Sequence, residues 1–194
     1  MLVYVVRHGQ SESNRDHYFP GKVGVHLTEK GIEDAKRAGT LLAPVAFTNV
    51  YASDYIRAIE TAQYAIPGCV PNIDKRLREC DYGYLAGVDF TFVKERLGEP
   101  FLEDQKARDY RAYGGESTSQ QVDRVRSFVK DLEKLQEDSI VAVFCHEGTV
   151  KSFLAAVLDE YINFRRIKCE NGSIAVFEYK DGKWTLVKWN ITAD

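Results

Sequence analysis

Leu2-Val3-Tyr4-Val5-Val6-Arg7-His8-Gly9 is the stretch on which the fold turns. Its first five residues are an unbroken apolar run, rich in β-branched side chains, with no alternation of polar and apolar positions. Such a run predicts a strand buried on both faces, as in a parallel sheet covered by helices. The run stops at Arg7-His8-Gly9, which places a cation and an imidazole at the carboxyl end of the strand. In open α/β sheets ligands bind in the crevice beyond those ends.

Downstream, strand and helix patterns alternate. Thr28 reads as an N-cap, with Ile32, Ala35, Ala38, Gly39 and Leu42 at helical spacing until Pro44. Asn49 to Ala52 reads as a strand, and Ser53-Asp54 as the cap of a helix running to about Ile66. Val70 to Ile73 suggests a short strand. A helix is expected around Phe90 to Leu97, followed by a polar, aromatic-rich loop. Ser117 with Gln120 forms a capping box, and Val122, Val125, Val129, Leu132 and Leu135 make one apolar stripe. Ser139 to Phe144 is a further strand run, and Gly148 to Leu158 a helix. Ser173 to Tyr179 and Trp184 to Trp189 flank Asp181-Gly182, a hairpin signal. The pattern predicts a three-layer α/β/α fold with a mostly parallel central sheet and an antiparallel C-terminal hairpin. Residues 1–194 are expected to form one domain, with 85–115 as a cap inserted over the site.

Three polar clusters start where buried strands stop: Arg7 to Asn14, Ser53 to Arg57, and Cys145 to Thr149. All three should meet in one pocket. Arg57 is the odd residue, because a cation in the first turn of a helix opposes the macrodipole. Either it is a surface residue paired with Glu60, or it serves an anion that also accepts from the helix N-terminal amides. Two histidines and two arginines at strand ends suit phosphoryl transfer. A neutral imidazole is nucleophilic near pH 7, and guanidinium groups hold the equatorial phosphate oxygens.

These segments resemble the histidine phosphatase superfamily, also called the phosphoglycerate mutase-like family. Arg7-His8-Gly9 with Asn14 is similar to its R-H-G-x-x-x-x-N signature, and Leu27-Thr28 with Gly31 to the L-T-x-x-G that follows. Ser53 to Thr61 resembles S-x-x-x-R-A-x-x-T, and Leu77-Arg78-Glu79 with Gly83 resembles L-x-E-x-x-x-G. Gly114-Gly115-Glu116-Ser117 and His146-Glu147-Gly148 complete the order.

The resemblance implies roles. His8 would be the nucleophile that becomes phosphohistidine, with Arg7, Arg57 and His146 binding the phosphoryl group. Asn14 would bind it too or orient His8, and Glu79 would be general acid and then general base. Gly21, after Pro20, falls where the mutases make further substrate contacts, with the proline replacing a hydroxyl residue. Glu147 and Gly148 would offer backbone amides to the phosphate, the Glu147 side chain being turned away. Leu85-Ala86-Gly87 carries alanine where many members have a second glutamate. His17 and His26 match no catalytic position and read as loop or surface residues.

Hydrolysis of a small phosphomonoester is therefore the expected activity. Mutase-type transfer is the near alternative, disfavoured by the short Cys80 to Tyr113 segment. A non-catalytic phosphoester-binding module is the distant one, disfavoured because His8, Glu79 and His146 are all present. Lys106, Arg108, Tyr110, Arg111 and Tyr113 could hold a ring or a second anion, or could form a solvated helix. Sugar phosphates, phosphoglycerates, nucleotide-like phosphoesters and phosphoprotein stay open as substrates.

No metal or other cofactor is expected, since no carboxylate or histidine cluster has divalent-ion spacing. The net charge of −3 gives no reason to expect nucleic acid or an anionic membrane as partner. Four scattered cysteines (Cys69, Cys80, Cys145, Cys169) without a C-x-x-C pair read as reduced thiols. With no signal-type h-region and no apolar run of membrane-spanning length, a cytoplasmic location is expected. Monomer and homodimer are equally compatible with the sequence.

Overall fold

A computed structural model describes residues 1–20, 24–160 and 162–193. Six strands form one mixed sheet in the order β3-β2-β4-β1-β5-β6. They are β1 (Leu2–Arg7), β2 (Asn49–Ala52), β3 (Asn72–Ile73), β4 (Ile140–Cys145), β5 (Ile174–Lys180) and β6 (Lys183–Ile191). The first four run parallel; β5 and β6 are antiparallel and close the sheet. β1 pairs with β4 from Leu2 opposite Ile140 to Arg7 opposite Cys145. On its other side β1 pairs antiparallel with β5. Its side chains alternate between two faces that are both covered by helices, which explains why its sequence is apolar at nearly every position.

Six helices accompany the sheet: α1 (Glu12–Asp16), α2 (Glu29–Leu42), α3 (Ile56–Ala65), α4 (Phe90–Ala107), α5 (Thr118–Leu132) and α6 (Glu147–Leu158). Val3, Val5, Val141, Val143 and Phe177 face Val125, Phe128, Leu132 and Phe153 of α5 and α6. Val6, Ala52, Ala142, Phe144 and Val176 face Ala38 and Leu42 of α2 and Ala62 of α3. Neighbouring β1 and β4 thus send their following helices to opposite faces of the sheet. That divergence opens a crevice at their carboxyl ends, between Arg7-His8 and Cys145-His146.

The capping box at Ser117 and the N-cap at Thr28 form as the sequence predicts. In the hairpin, Asp181 and Gly182 both adopt positive φ (51° and 73°), the twist a tight two-residue turn needs. The four cysteines are free thiols, three of them buried.

Some boundaries differ from expectation. α3 starts at Ile56 with Tyr55 as N-cap rather than Ser53-Asp54. Ser53 is drawn instead to His146, as described below. β3 is only two residues long. The short helix α1, capped reciprocally by Ser11 and Asn14, has too few residues for a periodic signal. The loop expected after Leu97 is helical. Gly98 (φ 63°, ψ −145°) kinks α4, and Pro100 begins a second helical stretch reaching Ala107. Its buried side chains, Val93 and Phe101, join Phe19, Leu85, Tyr110 and Tyr113 in a separate aromatic cluster. Among the described residues no helix is long and apolar enough to cross a membrane.

Candidate active site

The crevice is built by extending the β1–β4 ladder one step beyond the strands. The His8 amide donates to the Cys145 carbonyl at 2.9 Å, and the Ser53 amide to the Phe144 carbonyl at 3.0 Å. The chain then turns at Gly9, whose amide donates to Thr61 Oγ1 at 3.2 Å. A Cβ at Gly9 would lie 2.1 Å from the Gly31 carbonyl oxygen, so only glycine lets this loop pack on the first turn of α2.

His8 Nδ1 lies 2.6 Å from the Gly9 carbonyl oxygen. That contact places the proton on Nδ1 and leaves the lone pair on Nε2. Arg57 Nε donates to this same Nε2 at 3.3 Å. The His146 ring sits 5.2 Å from the His8 ring, inclined by 64°. Ser53 Oγ accepts from the Tyr55 amide and lies 2.9 Å from His146 Nε2. Tyr55 wedges the group from beside, with Arg57 4.9 Å and the His146 ring 5.2 Å from its ring centroid.

Burial is nearly total: Arg57 is 1% exposed, His8 4% and His146 0%. Such burial, reinforced by Arg57, pushes both imidazoles well below their ordinary value. Both are therefore neutral near pH 7. The surface reading of Arg57 fails, because Glu60 turns to His26 and the Leu27 amide instead.

Seven buried side-chain polar atoms lack a partner among the described residues. Five belong to this region: the guanidinium donors Arg7 Nε, Arg57 Nη2, and Arg108 Nε and Nη2, and the ring nitrogen His146 Nδ1. Unsatisfied buried donors are costly, and a concentration of cationic ones marks an anion site.

Glu79 is buried at the edge of the same group. Its Oε1 accepts from the Cys80 amide at 2.8 Å and Gln121 Nε2 at 3.2 Å, and its Oε2 from the Gly148 amide at 3.1 Å. Arg108 Nη2 stands 3.9 Å from Oε1. Burial alone would raise the carboxyl pKa, but Arg108 and the three N–H donors outweigh it and hold Glu79 ionised.

Two expectations need correction. The Gly148 amide serves Glu79, because the first turn of α6 lies directly against that carboxylate. The Glu147 side chain is not turned away. It lies 3.3 Å from Arg7 Nη2 and also pairs with Lys151, one helical turn on. Of the basic residues between Phe101 and Tyr113, only Arg108 enters the site, while Lys106 and Arg111 are exposed and paired with Glu103 and Asp109. Asn14 Oδ1 accepts from the Ser11 amide and from Asn171 Nδ2 (3.1 and 3.2 Å). Asn171 also donates to the His8 carbonyl, so Asn14 is tied to the His8 backbone rather than to the crevice. His17 and His26 are exposed, and Gly21 lies outside the described residues.

Residues the motifs did not single out complete the site. Gln121 and Arg108 hold Glu79, and the Cys169 carbonyl accepts from Arg7 Nη1. Gln121, polar within the apolar stripe of α5, carried a readable signal.

A family model described as histidine phosphatase superfamily (branch 1) matches residues 3–192. The chain is 28% identical to a Salmonella paratyphi A protein named probable phosphoglycerate mutase GpmB, over 97% of this chain and 90% of that one. A mycobacterial glucosyl-3-phosphoglycerate phosphatase, solved with VO3, superposes with a TM-score of 0.86 at 25% identity, covering 97% and 98% of the two chains. The α-ribazole phosphatase of Shigella flexneri shares the fold at a TM-score of 0.87 and 22% identity, over 98% and 96%.

Proposed function

The chain belongs to the histidine phosphatase superfamily, branch 1, and from that membership we propose that it hydrolyses phosphomonoesters through a phosphohistidine on His8. The four unpartnered guanidinium donors beside a neutral, fixed imidazole carry this reading. They supply positive electrostatic potential where the equatorial phosphoryl oxygens would sit, and phosphoryl transfer asks little else of a protein.

In the first step the His8 Nε2 lone pair forms the N–P bond while the ester P–O bond breaks. Glu79 gives its proton to the departing oxygen. In the second step water attacks phosphorus, Glu79 takes a water proton, and the N–P bond breaks to release phosphate. Glu79 is ionised in the resting site, so the arriving phosphoryl charge must work against Arg57 and Arg108 to raise it towards the acid form. Residues 85–115 act as the cap that keeps this chemistry from bulk solvent. None of the steps uses a metal.

Mutase-type transfer stays as the second reading because of the name carried by the Salmonella relative. The structural relative named a phosphatase and the short segment between Glu79 and Gly114 favour water as acceptor. A panel of phosphomonoesters incubated with enzyme and excess chelator separates the two. Free phosphate should appear at undiminished rate. Activity restored only by magnesium, or label passing to a second alcohol faster than to water, would overturn hydrolysis by this route.

A further inference from the structure

Glu147 brings a carboxylate to a place where phosphoryl chemistry calls for cations. The register explains how it arrives there. β1 and β4 pair as far as Arg7 opposite Cys145, and α6 begins at Glu147 directly after its N-cap His146. The first side chain of the helix therefore stands beside the arginine. Glu147 Oε2 lies 3.3 Å from Arg7 Nη2, while Oε1 accepts from Lys151 Nζ one helical turn on. Lys151 is 4% exposed, and lysine is almost never buried to that degree without a partner. Taking an ammonium out of water to meet this carboxylate costs desolvation that a surface pair at the same helical spacing avoids. The pair is a built feature rather than a by-product of helix spacing.

The two arginines of the floor are consequently unequal. Arg57 gives Nε to His8 and keeps Nη2 without a partner. Arg7 donates from Nη1 to the Cys169 carbonyl, faces Glu147 with Nη2, and keeps only Nε without a partner. Nε and Nη2 share one edge of a guanidinium, and such an edge grips two phosphate oxygens side by side. Glu147 stands at the nitrogen that would take the second oxygen.

We propose that Glu147 is a positioning residue that holds Arg7 between turnovers and limits how tightly the crevice retains a phosphate dianion, with Lys151 moderating that opposition. The inference rests on the crevice being the phosphoryl site. Inorganic phosphate keeps the oxygens and charge of the group that is transferred, so cations arranged for the reaction also retain the product. A carboxylate fixed beside Arg7 repels that dianion and shortens its stay, at the expense of some substrate affinity. Glu79, the other carboxylate of the site, is engaged by Gln121, Arg108 and the Cys80 and Gly148 amides. His8 and His146 are neutral and add no charge of either sign.

Calorimetric titration with inorganic phosphate reads the effect without turnover, and its inhibition constant against p-nitrophenyl phosphate reads it in the working enzyme. Glu147→Gln should tighten phosphate about tenfold, as expected when one negative charge is removed a few ångströms from a partly screened anion. The KM for p-nitrophenyl phosphate should fall with it. Lys151→Met leaves Glu147 without its cation and should act in the opposite sense, weakening phosphate several-fold. Residues that merely support the fold would weaken binding in both variants. Phosphate held no more tightly by Glu147→Gln than by the parent, or more tightly by Lys151→Met, would overturn the inference.

Glu147→Gln leaves Lys151 buried without its carboxylate. If that variant does not fold, Glu147→Gln is added to Lys151→Met, where it should tighten phosphate by at least as much; no gain there counts equally against the inference. Arg57→Ala separates the inference from the reading beneath it. Phosphate binding that disappears in Arg57→Ala places the titrated anion in the crevice, whatever Glu147 does. Phosphate that binds Arg57→Ala as it binds the parent, or that fails to bind the parent, removes the phosphoryl-site reading and this inference together.

Discussion

The floor and the roof of the crevice are built on opposite terms. On the floor, Arg7, His8, Arg57 and His146 project from strand ends and helix starts that the sheet itself fixes. Their polar atoms are buried and several are unpartnered. In the roof, the kinked α4 and the turn after it pack Phe101 and Tyr110 against Phe19, with ring centroids 5.9 and 6.2 Å apart, and Tyr113 against Phe101 at 6.0 Å. There Tyr113 Oη donates to Asp104 Oδ2 at 2.8 Å, and Arg108 reaches out of the segment towards Glu79. The floor thus leaves buried polar atoms unsatisfied, while the roof is a small apolar core in its own right. The difference separates a polar floor fixed by the sheet from an apolar roof fixed by its own aromatic packing.

Truncating the roof is the strongest way to break this division. Phe101 is fully buried at the centre of the aromatic cluster, so Phe101→Ala should remove about 3–5 kcal/mol of packing. Hydrogen exchange should then accelerate across 90–113 while β1 and β4 keep their protection. Acceleration spread evenly over the sheet would show that roof and floor are one cooperative unit.

On the floor, Arg57→Lys keeps the charge but loses the planar two-point contact with phosphate oxygens. Transition-state stabilisation should drop by roughly 2–4 kcal/mol, read as kcat/KM on an aryl phosphate, with hydrogen exchange in the roof unchanged. A variant turning over within a few-fold of the parent would place Arg57 outside the phosphate shell.

The smallest effect sharpens the comparison through pH. His8 and His146 are held neutral by burial and by Arg57, below the ordinary imidazole value of about 6.5. The unfolded chain therefore binds protons that the folded floor does not. Stability is fully present above about pH 6.5 and falls as pH drops below it, towards the folded-state values. Urea midpoints taken at pH 7.5 and 5.5 should show this decline, and His8→Gln should flatten it. An equal decline in that variant would locate the titrating groups elsewhere.

The floor was legible in the sequence because each catalytic candidate follows a run of unmistakable β or helical pattern. Val6 hands over to Arg7-His8, and Phe144-Cys145 to His146. The mostly parallel sheet and the hairpin followed from the same runs, whereas the strand order became visible only in the structure. The roof was not legible, for physical reasons. Gly98 and Pro100 look like a helix terminator, yet here they form a kink that the Phe101 contacts hold together. Arg108 looked like its neighbours Lys106 and Arg111, since no local pattern tells which of three cations turns inward. Gly148 matched a motif as a phosphate-binding amide, but its partner is a carboxylate 69 residues away in the chain. Such a contact is set by tertiary packing alone.

The central claim is that the phosphoryl group passes through His8 and that Glu79 moves the protons. Rapid quench with a labelled aryl phosphate tests it most directly. An aryl oxide leaves without a proton, so Glu79→Gln should still be phosphorylated but lack the base for water, each such proton transfer being worth about 10²–10⁴ in rate. Acid-labile label should accumulate on Glu79→Gln, with none on His8→Ala. Label on His8→Ala, or no trapped label on Glu79→Gln with equal losses for aryl and alkyl phosphates, would contradict it.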